Sequence, residues 1–97
     1  MFVNPKDFQD CFWYKYVIFD DGQIRFGEVD DQHSSIASRY SQAKPISAGR
    51  IKYREKKFQI EEYGSFTLGL KGNDSDMDAL KSFLMPYGIF EAEDYIY

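Results

Sequence analysis

The stretch ISAGRIKYREKKFQIEEYGSFTLGLK, residues 46–71, alternates apolar and polar residues with a period of two through three consecutive candidate strands. Successive side chains of a strand point to opposite faces, so this pattern predicts a β-meander with one dry face and one charged face. Gly49 to Arg54 and Phe58 to Glu62 meet across Glu55-Lys56, or across the longer loop Arg54 to Lys57, and both give the same register. Tyr53 then faces Phe58, Ile51 faces Ile60 and Arg50 faces Glu61, with Lys52 and Gln59 on the solvent side. A third strand, Phe66 to Lys71, brings Phe66, Leu68 and Leu70 to the same dry face only across an odd loop such as Tyr63-Gly64-Ser65. A two-residue turn would flip every side chain.

Upstream, Tyr14 to Phe19 and Gln23 to Val29 flank Asp21-Gly22, a strong hairpin signal because Gly accepts the positive φ of a type I′ turn. Taking Asp21 and Gly22 as the loop pairs Phe19 with Ile24, Val17 with Phe26 and Lys15 with Glu28. Asp30 and Asp31 suit a helix start, where carboxylates meet orphan N–H groups. A short helix from about Gln32 to Gln42 follows, with Ile36, Ala37, Tyr40 and His33 sharing one side. Downstream, Asn73 to Asp78 opens a second helix, with Ser75 and Asp78 matching a capping box and Met77, Leu80 and Leu84 forming an apolar stripe before Pro86 stops it. Residues 1–13 carry Phe2, Phe8, Phe12 and Trp13, and a helical turn over Asp7 to Cys11 would bring Phe8 and Phe12 to one side, against the sheet. The order β-β-α-β-β-β-α predicts an α+β fold: an antiparallel sheet of about five strands with two helices on one face.

The chain has 97 residues, enough for one domain spanning 1–97, with residues 1–13 and 87–97 as candidate flexible arms. Aromatics make up 19% of it, and side chains that bulky fill a small core with few residues. Cys11 is the single cysteine, which excludes an internal disulfide. With no leader pattern ahead of it, a reducing, cytoplasmic setting is expected. Charged residues interrupt every apolar run well short of the ~20 residues of a membrane span. The net charge is −4, yet Lys44 to Lys57 carries +5, leaving −9 for the rest.

Candidate chemistry is sparse. Asp74, Asp76 and Asp78 alternate like the first ligands of a calcium loop, but Ala79 stands where the motif needs Gly and Met85 where it needs a bidentate Glu. Helix capping explains these acids with fewer assumptions. Glu28, Asp30, Asp31 and His33 have the composition of an acid–base or zinc site, without a second His or a partnered Cys. Cys11 sits beside Asp10 and aromatics, not beside the cation a reactive thiolate needs, and reads as a buried or half-buried structural thiol. No catalytic residue, metal or cofactor is therefore expected.

Two surfaces are candidates for contact. Arg50, Lys52, Arg54, Lys56 and Lys57 line one sheet face and a hairpin tip, the geometry of a phosphate-tracking surface, although lysines on an exposed strand also guard it against aggregation. The acidic aromatic tail EAEDYIY, with Phe90, Tyr95, Ile96 and Tyr97, suits a last edge strand or an arm laid on a partner or a second copy.

Tyr16-Val17-Ile18-Phe19 followed by Asp21-Gly22, then Ile46-Ser47-Ala48-Gly49, then Tyr63-Gly64-Ser65-Phe66-Thr67-Leu68-Gly69-Leu70 ahead of an acidic helix start, resemble a family of small bacterial and phage proteins of unknown function. The resemblance spans residues 14–84, rests on strand and turn patterning, and implies no activity for any residue. The expected function is non-enzymatic protein–protein contact, with a homodimer as one form, and nucleic-acid binding through the hairpin 50–57 as the alternative.

Overall fold

The computed structural model describes residues 2–28, 30–63 and 74–90. Strands β1 (Phe12–Phe19), β2 (Ile24–Glu28), β3 (Pro45–Arg54) and β4 (Lys57–Tyr63) form a four-stranded antiparallel sheet in the order β2-β1-β3-β4. Helix α1 (His33–Ser38) lies between β2 and β3, and α2 (Asp74–Leu84) follows β4. A two-residue strand, β5 (Ile89–Phe90), pairs parallel to the outer edge of β4. The expected strand Phe66 to Lys71 lies outside the described residues, as do Tyr95, Ile96 and Tyr97.

The β3–β4 hairpin has the expected register at its tip: Tyr53 opposes Phe58, Lys52 opposes Gln59 and Ile51 opposes Ile60. Glu55 and Lys56 both take positive φ, 52° and 61°, making the two-residue loop that matches strand twist without the glycine usually found there. A bulge between Ile51 and Arg50 then moves Arg50 opposite Glu62 rather than Glu61.

The first hairpin corrects the expected pairing by one residue. Ile18 opposes Ile24, Tyr16 opposes Phe26 and Tyr14 opposes Glu28. The cause is the turn: only Gly22 has positive φ there, at 85°, while its N–H donates to the Phe19 carbonyl (3.0 Å) and the Phe19 N–H donates to Gln23 (2.9 Å). That is a three-residue loop with a type I turn closed by a left-handed glycine, not a two-residue type I′ turn. Lys15 consequently faces Gly27, not Glu28.

Because side chains alternate, this register buries β1 on both faces. Tyr14, Tyr16 and Ile18 join Ile24, Phe26, Ile51, Phe58, Phe8 and the α2 residues Leu80 and Leu84 in one core. Val17 and Phe19 join Ala48 and the α1 residue Ile36 in a second. The two helices therefore cover opposite faces of the sheet, correcting the expectation that both lie on one. Close approach makes the second core possible: a Cβ on Gly27 would lie 2.7 Å from Ile36 Cδ1.

Helix α1 ends four residues earlier than the apolar spacing suggests, and its N-cap, Gln32, makes no side-chain capping bond. Serine competes with the helix here, since the Ser38 hydroxyl donates to the Ser35 carbonyl (2.9 Å). Asp31, expected as a cap, instead pairs with Arg39 at 2.9 Å. At the N-terminus the helical turn falls at Pro5–Asp7, capped by the Asn4 side chain, rather than over Asp7 to Cys11. Phe8 is buried while Phe12 is not.

Candidate functional site

Strand β1 runs two residues past the end of β2, because Tyr14 is the last residue that β2 pairs, through Glu28. Phe12 and Trp13 continue to pair with β3, opposite Tyr53 and Lys52, and no described residue of β2 pairs with them. The overhang borders a groove of about 580 Å³ between β1, Glu28, Asp30 and the N-terminal segment. Phe12 is 50% exposed and Trp13 37% exposed.

The wall opposite the overhang is fixed by several contacts. The Val3 N–H donates to the Phe26 carbonyl on the outer edge of β2 (2.9 Å), and Asn4 accepts from the Lys6 N–H (3.1 Å). Phe8 inserts into the α2-side core, and the Tyr14 hydroxyl accepts from the Gln9 N–H (2.7 Å). Three carboxylate side chains, Asp7, Glu28 and Asp30, line the groove, and among the described residues no Lys or Arg does. None of the three forms an ion pair with a described residue.

The basic stripe lies on the Trp13 side of the overhang. Alternation along β3 puts Arg50, Lys52 and Arg54 on the α1 face, with Lys57 opposite Arg54 and Lys15 opposite Arg50. Lys56 is separate, at the hairpin tip. Several of these cations have partners: the Lys52 ammonium lies over the Trp13 ring (4.7 Å), and Lys15 Nζ donates to the Asp31 carbonyl (2.6 Å). Beside the tip, Arg54, Glu55, Lys57 and Gln59 enclose a hollow of about 140 Å³. The tip is anchored by Asp10, whose carboxylate accepts from the Glu55 N–H, a bond that holds Asp10 below its usual pKa.

The cluster of Glu28, Asp30, Asp31 and His33 is divided by the fold. His33 is buried with Nε2 2.7 Å from the Gly49 carbonyl, so that nitrogen serves as a donor to the sheet. The Asp31 carboxyl is lowered below its ordinary pKa, first by its hydrogen bond from Arg39. Only Glu28 and Asp30 reach the groove. Among the described residues no group of three or more His, Cys, Asp or Glu could hold a metal ion. The side chains of Asp74 and Asp76 lie outside the described residues, and Asp78 is exposed.

Cys11 corrects another expectation. It is exposed, with φ 65°, and its thiol donates to Asp10 at 3.5 Å. A second apolar surface brings Met85 and Ile89, both exposed, together beside Lys81 and Ser82 of α2.

The expected register hides the groove because it sets Glu28 opposite Lys15 instead of Tyr14. The signal available was the unequal length of the two runs around Asp21-Gly22, with Phe12-Trp13 left over. No family model matches the chain, and no curated protein matches it either. Among the described residues no helix is long and apolar enough to cross a membrane.

Proposed function

We propose that this protein is a non-enzymatic docking module that holds a partner protein in the groove beside the β1 overhang. The reading is carried by one observation: Phe12 and Trp13 are left exposed at a concave site whose opposite wall is fixed by Val3, Phe8 and Gln9. Exposed aromatics in a depression supply large contact area for little side-chain entropy, which is why such residues anchor protein interfaces. A prebuilt wall lowers the ordering cost of binding.

The experiment is affinity capture from the native host with wild type and with a Phe12→Ser/Trp13→Ser double variant of unchanged melting temperature. Proteins retained by wild type and lost by the variant support docking at the groove. Identical retained sets contradict it.

A second reading is favoured by the shared face of Arg50, Lys52, Arg54 and Lys57. Cations aligned along a sheet would track a phosphate backbone, and that binding would weaken steeply with salt. A labelled single-stranded oligonucleotide is the probe. Binding lost on Arg50→Glu, Lys52→Glu and Arg54→Glu supports this reading, and no binding at about 50 mM salt eliminates it.

A further inference from the structure

We propose that the groove is selective for a cationic segment of the partner, one that sets Lys or Arg side chains against Glu28, Asp30 and Asp7 and lays an apolar side chain on Phe12 or Trp13. This rests on the docking reading and specifies the chemistry of the occupant.

The described lining carries three carboxylates and no Lys or Arg, and none of the three is neutralised by an ion pair to a described residue. An uncharged apolar segment filling this space would strip water from Glu28 and Asp30 and return nothing, a penalty that grows as the site closes. A Lys- or Arg-bearing segment offsets the same penalty with charge-assisted hydrogen bonds. Phosphate-bearing occupants, nucleic acid or an anionic membrane, meet three like charges and are repelled.

The aromatic part of the site makes the same choice. The Trp13 ring already holds a cation within the chain, the Lys52 ammonium at 4.7 Å from its centroid. Indole is the best of the aromatic rings for cations. Trp13 remains 37% exposed beside that contact and lines the groove, so an occupant meets an apolar ring surface next to carboxylates without an ion pair to a described residue.

Trp13 is also the only tryptophan of the chain, so its emission reports on the groove directly. The test titrates the full chain with three capped peptides of equal length and no tryptophan: alternating Lys and Leu, alternating Ser and Leu, and alternating Glu and Leu. The expected result is a shift of Trp13 emission with the Lys–Leu peptide, at least about tenfold tighter than with either other. A Glu28→Gln/Asp30→Asn variant is expected to bind that peptide about tenfold more weakly, and raised salt to weaken wild type toward the same value. Both residues are exposed, so the variant should melt as wild type does, and Arg54→Gln on the basic face should bind as wild type does. Equal binding of the Ser–Leu peptide, or an unchanged affinity in the double variant, overturns the proposal. So does the lack of any emission change with all three peptides. If capture still depends on Phe12 and Trp13 in that case, the cationic assignment alone falls and the docking reading stands.

Discussion

Phe8 stacks on Tyr14 with ring centroids 3.9 Å apart and planes inclined by 7°. That contact ties the N-terminal segment to the strand whose overhang forms the groove, and Phe8 also meets Phe26, Tyr53 and Phe58 edge-on. Phe8→Ala is expected to cost about 3 to 5 kcal/mol, the range for deleting a buried aromatic. Urea unfolding measures the loss, and a change of less than about 1 kcal/mol would mean that the segment is not part of the core.

Gly27 permits the close packing of α1. A Cβ there would lie 2.7 to 2.9 Å from Ile36 and from Asp31 Oδ2, so Gly27→Ala should destabilise by about 1 to 3 kcal/mol through overpacking. At Gly22 nothing lies within 4 Å, and Gly22→Ala should cost only the left-handed strain of about 1 to 2 kcal/mol. Ile36→Ala added to Gly27→Ala should relieve part of the first penalty and none of the second, which a double-mutant cycle resolves.

The opposite placement of the helices has its own test. Ile36→Ala and Leu80→Ala each open a cavity worth about 2 to 5 kcal/mol, but in different cores. Their effects should add within about 0.5 kcal/mol, as for sites without shared partners. Coupling above about 1 kcal/mol would indicate one common core.

The Tyr40 hydroxyl donates to Asp21, and this bond is the largest cause both of the lowered Asp21 pKa and of the raised Tyr40 pKa. The contribution of Asp21 is complete above the unfolded carboxylate pKa of about 3.9 and is lost as pH falls through its lower folded value. That of Tyr40 is complete below the unfolded phenol pKa of about 10 and is lost as pH rises through its higher folded value. Tyr40→Phe should therefore flatten the melting-temperature profile at both its acid and alkaline ends. A profile that keeps both slopes in the variant would assign them to other groups.

The fold is legible in the sequence where one local signal decides the matter. Alternation in Ile51-Lys52-Tyr53 and Phe58-Gln59-Ile60 determines the tip of the β3–β4 hairpin, and spacing placed Ile36, Leu80 and Leu84 on buried helix faces. The first hairpin was misread because Asp21-Gly22 fits two loops, and the choice between them depends on tertiary packing. The unbroken apolar run Tyr16-Val17-Ile18-Phe19 carried the missing information. A strand buried on one side alternates, whereas a central strand covered by a helix on each side does not need to. Treating that run as one-sided placed both helices on one face and hid the overhang at Phe12 and Trp13. The bulge at Arg50 and the cap-free start of α1 left no comparable mark in the sequence.

The most direct test of the groove as the binding site is an amide chemical-shift map of the full chain titrated with the alternating Lys–Leu peptide. The perturbed amides are expected to cluster at Phe12 to Tyr14, at Glu28 and Asp30 and in the Val3 to Gln9 segment, together with the Trp13 indole N–H. Perturbations confined to Arg54, Lys57 and Gln59, or to Met85 to Ile89, with the groove amides unmoved, would contradict it.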